Sequence, residues 1–130
     1  MTSLNAYVKA DKFKSFEGDT DPVPGIKAIA THGPTPGHAI YAIESKGQKL
    51  VPSGDLMLVA AVQFAEPSVT IAFNTDAKAA AAQRKKAYAD AANGGYIVGS
   101  AHLSFPDLGH LRTEGRGYVF APVNYSPPAK

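Results

Sequence analysis

Three short segments hold the side chains of this chain that are best suited to chemistry: His32-Gly33-Pro34-Thr35-Pro36-Gly37-His38, Ser53-Gly54-Asp55-Leu56 and Ser100-Ala101-His102-Leu103. Asp55 follows the apolar Leu50-Val51 and sits in a Gly-Asp turn, while His102 closes the β-like run Tyr96-Ile97-Val98-Gly99-Ser100-Ala101. A carboxylate and an imidazole held at strand ends suit zinc or a similar divalent ion. The same two residues also suit a plain hydrogen bond, with Asp55 closing its turn and His102 satisfied by Asp55 or by backbone. There is no cysteine, so thiolate ligands and disulfides are excluded.

The wider sequence chooses between these chemistries. Asn5-Ala6-Tyr7-Val8-Lys9-Ala10, Val23-Pro24-Gly25-Ile26-Lys27, Glu44-Ser45-Lys46-Gly47-Gln48-Lys49-Leu50 and Val59-Ala60-Ala61-Val62-Gln63-Phe64 resemble methyl parathion hydrolase and its lactonase-like relatives of the metallo-β-lactamase fold. Ala87-Tyr88-Ala89-Asp90-Ala91-Ala92, His102-Leu103-Ser104-Phe105-Pro106 and Gly117-Tyr118-Val119-Phe120-Ala121-Pro122-Val123-Asn124-Tyr125 continue the likeness nearly to the C-terminus. It spans essentially the whole chain but corresponds only to the later part of such an enzyme.

The resemblance implies metal-ligand ancestry for Asp55 and His102, and it aligns Pro34 with a third ligand histidine. Proline has no side-chain donor atom, so that ligand is missing. His32 and His38 flank the gap as candidate additional ligands; His32 is two residues from Pro34, a spacing that shares a face in an extended loop, and by the resemblance His38 corresponds to a non-ligand position, which favours a structural role or one beside the ligands. The His-x-His-x-Asp-His cluster of these enzymes occurs nowhere in the sequence. A complete structural zinc site contributes on the order of 10–16 kcal/mol, and one carboxylate with one imidazole gives a small part of that. Zinc or another divalent metal is therefore expected to bind weakly or not at all to the isolated chain. Leu58, Ile71 and Phe73 follow the Asp55 turn and are candidates for an apolar substrate pocket in a full-length relative, with core packing as the alternative.

Composition bounds the rest. A chain of 130 residues with 45% hydrophobic and 18% charged residues fits one globular domain. A net charge of +2 with acids and bases interspersed gives a weak field, which points to neither nucleic acid nor a membrane surface. Arg84-Lys85-Lys86 reads as the solvated face of a helix. The first residues show neither a basic stretch nor an apolar stretch of signal-peptide type, although relatives of this kind are often exported from bacteria. Gly94-Gly95 opens no phosphate-binding pattern.

The elements that must position these residues follow from periodicity. Residues 1–24 read as an irregular arm, and the resemblance implies that 25–130 are the C-terminal half of a metallo-β-lactamase-like domain. Strands are expected at 26–30 and 39–43 around the Pro-Gly turn, with a hairpin at Ser45-Lys46-Gly47-Gln48 leading into 49–51. Residues 56–64 fit a short helix or a buried strand equally by periodicity, and the resemblance favours a short turn or helical element. Asp76 or Thr75 caps a helix through the Ala-rich 77–92, ended by Gly94-Gly95. A strand at 96–102 and a terminal hairpin at 110–120 complete the chain.

This is the fold class α+β, half of an αβ/βα sandwich, with one mostly antiparallel or mixed sheet and an outer helix. A half sandwich exposes the sheet face that would meet the other half, an apolar patch beyond the roughly 400 Å² common on soluble monomers. A homodimer covering that face by two-fold symmetry is the expected partner. Two function classes follow: a half-domain without the parental hydrolysis, or a zinc-dependent hydrolase of phosphotriesters, lactones or esters assembled across a dimer interface. A binding remnant using the old pocket is the third.

Overall fold

The computed structural model describes residues 3–126. Seven strands form one sheet in sequence order: β1 (Thr20–Val23), β2 (Ile26–Ala30), β3 (Ala39–Ser45), β4 (Gln48–Pro52), β5 (Ile97–Gly99), β6 (Leu108–Glu114) and β7 (Gly117–Pro122). Every neighbouring pair is antiparallel except β4 with β5, which run parallel with Val51 opposite Val98. A parallel pair needs a long crossover. Here the crossover carries a 3-10 turn (Gly54–Leu56), α2 (Ala60–Gln63) and the long α3 (Ala77–Gly94).

α3 begins where Asp76 accepts the Ala79 N–H at 2.9 Å and ends where Gly95 takes a left-handed φ of 61°. These are the start and stop signals of a capped helix. Between them alanine dominates, so the helix is thin and lies close to the sheet. Its buried residues Ala80, Arg84, Tyr88 and Ala91 recur at helical spacing and form one face.

Strand register divides the sheet into two faces. Ile29, Ile40, Ala42, Val51 and Val98 share the face that packs on Leu56, Met57, α3 and Phe64, with Leu111, Tyr118 and Phe120 continuing it. Phe64 stacks on Phe120 at a centroid distance of 5.6 Å, and Tyr88 meets Tyr118 edge-on at 5.5 Å. The opposite face carries Ile26, Tyr41, Ile43, Leu50, Ile97, Leu108 and Val119, all only partly covered. An apolar row on both faces of a strand is the pattern of a sheet buried on both sides.

Two expectations need correcting. The arm over residues 1–24 is not wholly irregular, since its described part contains the helix α1 (Asn5–Lys9) and the edge strand β1; Asp19 accepts the Ala30 N–H at 2.9 Å and ties β1 to β2. Arg84 is not on a solvated face: it is 0% exposed, while Lys85 and Lys86 point outward. The charge run obscured the helix phase, in which position 84 falls between Ala80 and Tyr88 on the core side.

The Arg84 guanidinium donates through Nε to the Leu56 carbonyl at 2.7 Å and through Nη1 to the carbonyls of Pro67 and Val69 at 2.9 and 2.8 Å. Gln63, also fully buried, adds to the same cluster: its Oε1 accepts the N–H groups of Leu58 and Val59, and its Nε2 donates to the Val69 carbonyl. Together they order the crossover segment between the 3-10 turn and α3, which has little regular structure of its own. Arg84→Met preserves length and removes these donors, and is expected to cost roughly 2–4 kcal/mol because buried carbonyls are left unsatisfied. Urea unfolding of the two chains measures the difference.

Candidate functional site

Strand direction brings the candidate residues to one edge of the sheet. β2, β4 and β5 all run the same way, because β3 reverses between β2 and β4 and β5 is parallel to β4. The segments that leave their C-terminal ends are those singled out by chemistry: 31–38 after β2, 53–56 after β4 and 100–103 after β5. The strand ending at His102 is shorter than its apolar run suggests. β5 stops at Gly99, and His102 lies in the turn beyond.

Two serines join the ends of β4 and β5. Ser53 donates to the Gly99 carbonyl through both its N–H at 2.8 Å and its hydroxyl at 3.0 Å. The Ser100 hydroxyl lies 3.4 Å from the carbonyls of both Gly54 and Met57, and its oxygen accepts the His102 N–H at 3.3 Å. These residues escaped the sequence reading. A signal was there, since each serine stands two residues before a candidate ligand, in Ser-Gly-Asp and in Ser-Ala-His.

Across this junction His102 Nε2 meets Asp55 Oδ1 at 3.0 Å. The carboxylate accepts, so Nε2 carries the proton. Both side chains remain accessible, at 36% for His102 and 56% for Asp55, and an exposed pair of this kind contributes little to stability. Its exposure matters more for what the two groups can reach. His38 completes the group: its Nε2 accepts the Asp55 backbone N–H at 3.1 Å, and its Nδ1 lies 2.7 Å from Thr31 Oγ1. Burial lowers the His38 pKa below its ordinary value, against smaller raising effects from its hydrogen bond with Thr31 and from the Asp55 charge. An Nε2 that accepts the Asp55 N–H requires a neutral ring, and the direction of the shift agrees with it.

The 31–38 loop is clamped to the start of α3. Pro34 is buried, and its carbonyl accepts both the N–H of Thr75 at 3.1 Å and its hydroxyl at 3.2 Å; the Gly33 carbonyl accepts the Asp76 N–H at 2.9 Å. Gly33 has φ 142°, and a Cβ there would lie 2.3 Å from the Ala80 nitrogen, so only glycine allows the approach. His32 is exposed and lines a shallow hollow with Phe16, Glu17 and His38.

The geometry thus brings Asp55, His102 and His38 together and leaves His32 outside their hydrogen bonds. Zinc sites use three or four protein donors. Among the described residues no group of three or more His, Cys, Asp or Glu side chains is placed to hold a metal ion. Asp55 and His102 fit as two members of a ligand set, and do not fit a resident metal by themselves.

The candidate pocket residues do not converge. A cavity of about 520 Å³ lies along α3 and is lined by Ile29, Ile40, Val51, Met57 and Tyr96 among others, but by none of Leu58, Ile71 or Phe73. Phe73 is 89% exposed, and Leu58 turns back to give its N–H to Gln63. Leu56 and Met57, which follow Asp55 directly, are buried in the core instead. Phe105, on the His102 loop, is exposed, and its ring meets that of Tyr125 edge-on at 4.8 Å.

Known structures share this fold. A hydrolase of the β-lactamase superfamily, AbOPH, matches with a TM-score of 0.88 and 33% identity over 95% of this chain and 43% of its own. The chain has the metallo-β-lactamase fold, over about half of such a domain. AidC, a dizinc quorum-quenching lactonase, superposes at a TM-score of 0.82 with 25% identity, covering 97% of this chain and 44% of its own. A probable metal-dependent hydrolase from Staphylococcus aureus has the same fold at a TM-score of 0.74 and 23% identity, covering 91% and 42%. The half-domain therefore spans less than half the length of the solved structures it matches. No family model and no curated protein matches it.

Gly54 makes the bend in the half-domain's site. Its φ is 50°, and a Cβ would stand 3.0 Å from His38 Nε2. Gly54→Ala is expected to cost about 1–2 kcal/mol through backbone strain and to push the imidazole off the Asp55 amide. Denaturant titration checks the first effect, and the amide chemical shift of Asp55 the second.

Proposed function

We propose that this half-domain is the C-terminal portion of a methyl parathion hydrolase-like metal-dependent hydrolase. It contributes Asp55 and His102 to a centre whose other ligands come from residues beyond those described, and by itself it does not carry out the parental hydrolysis. The single observation that supports this most is the 3.0 Å pairing of Asp55 with His102 at the adjoining ends of two parallel strands, the place where an open α/β sheet presents its chemistry. The high structural similarity to AbOPH and AidC supports the same reading.

The substrate class that goes with it is a small phosphotriester, lactone or ester. A divalent metal, when bound, supplies an activated water to such reactions. In this reading the contribution of the chain is to orient two of the donors. His38 fixes the Asp55 backbone, and Ser53 and Ser100 hold the two strand ends in register. Pro34 leaves the loop without a donor where a histidine is expected, which limits the site further.

The uncovered sheet face is, in this proposal, met by a second copy of the chain. A two-fold contact sets Tyr41, Ile43, Leu50 and Ile97 of one protomer against the same row on its partner, so that one apolar face satisfies both. Sedimentation is expected to show a dimer, and a well-folded monomer at micromolar concentration would remove the second copy from the proposal.

Zinc content after dialysis and hydrolysis of aryl phosphotriesters and lactones test the function together. The expected outcome is substoichiometric zinc and no turnover above background. Stoichiometric zinc that disappears in Asp55→Ala, with turnover lost in parallel, would establish the assembled hydrolase in its place. Pro34→His adds an imidazole to the clamped loop and is expected to raise zinc affinity; an unchanged affinity would show that position 34 points away from the pair.

A further inference from the structure

The second histidine of the loop stands beside the Asp55–His102 pair, yet its ring nitrogens face elsewhere. His38 Nε2 takes the Asp55 backbone N–H at 3.1 Å, and Nδ1 faces the Thr31 hydroxyl at 2.7 Å. A backbone N–H only donates, so Nε2 is bare, and the neutral ring carries its proton on Nδ1. Thr31 Oγ1 is then the acceptor. Thr31 is itself fixed, because its N–H donates to the His38 carbonyl at 2.9 Å, which closes the base of the loop.

Both polar groups of one peptide unit are held in this way. The Gly54–Asp55 peptide offers its carbonyl to the Ser100 hydroxyl at 3.4 Å and its N–H to His38. Ser100 also receives the His102 N–H, so one end of the peptide is tied to the residue that pairs with Asp55 and the other to the loop after β2. With the plane pinned from two sides, the Asp55 N–Cα bond, from which its side chain hangs, is set in place. Gly54, at φ 50°, supplies the bend and leaves the space that the imidazole occupies.

We propose that His38 is a positioning residue, locked as the Nδ1–H tautomer, whose Nε2 holds the Asp55 amide and so aims the Asp55 carboxylate at His102. Its purpose rests on the reading of Asp55 and His102 as a ligand pair, while its geometry does not. A corollary separates His38 from the ligands: coordinating a metal through Nε2 means releasing the Asp55 amide and the carboxylate orientation with it.

Nitrogen-15 NMR of the histidine-labelled, metal-free chain tests this directly, together with amide exchange at Asp55. The wild-type ring of His38 is expected to show a protonated Nδ1 and a bare Nε2. His38→Gln places Oε1 where Nε2 stood and is expected to keep Asp55 exchange within about twofold. His38→Leu removes the acceptor and is expected to speed that exchange about tenfold, the size of one lost hydrogen bond, and to shift the His102 ring signals that the Gln variant leaves in place. A protonated Nε2 in the wild type would overturn the proposal, as would equal Asp55 exchange in the two variants or His102 signals indifferent to both. Should His38→Leu not fold, the wild-type tautomer and the Gln variant still decide. None of these readouts needs metal or turnover. A chain that passes them and also holds stoichiometric zinc that is lost in Asp55→Ala overturns the half-domain reading above and leaves the strut standing.

Discussion

The parallel pairing of β4 with β5 is the constraint on which the rest of the structure depends. In an otherwise antiparallel sheet it is the one junction where two neighbouring strands end on the same side, with Val51 opposite Val98 and Pro52 opposite Gly99. Parallel neighbours must be joined by a crossover over one face, which is why α3 exists and why the core lies between it and the sheet. Asp55 and His102 are adjacent because each follows directly on one of these two strands. A sheet of hairpins alone would send successive strand ends to opposite edges, and the pair would not form.

The crossover also explains how the loop after β2 joins the site. Reversal through β3 returns β2 to the direction of β4, so the loop begins at the right edge, and the N-terminus of α3 receives it through the Gly33 and Pro34 carbonyls. α3 therefore acts twice, as the cover of the core and as the anchor of the loop that bears His38. The close approach at Gly33 is the local condition for the second role. Any side chain at 33 would lift the loop from the helix and move His38 away from the Asp55 turn.

Much of this was legible in the sequence where local chemistry decides. Strands β2 and β3, the 46–47 turn, the helix opening at Asp76 and closing at Gly95, and the terminal hairpin each carry a residue-level signal: alternation, a cap or a glycine with positive φ. Residues 56–64 did not, since a short apolar run fits two structures; they form two brief helical turns held by Gln63 and Arg84 side chains that no period reveals. Arg84 was hidden by its neighbours Lys85 and Lys86. Asp55 and His102 could be named from their settings, but their contact spans 47 positions and depends on the parallel register. Proximity to Asp55 in sequence suggests Leu58, Ile71 and Phe73 as pocket residues of a full-length relative; in this chain Phe73 is exposed and the Leu58 N–H is tied to Gln63.

Arg84 has a consequence for how this molecule comes apart. Among the described residues no carboxylate pairs with its charge; main-chain oxygens from positions 56, 67 and 69 solvate it, and Nη2 and the Tyr88 hydroxyl are buried without a protein partner. Peeling the 56–69 segment away would strip a buried cation of those oxygens at once. Helix and crossover are thereby bound into one cooperative unit, and slow amides in both should share a single opening free energy, unlike the independent fraying usual for a surface connection. A segment that looks like a loop by its secondary structure behaves, energetically, as part of the core.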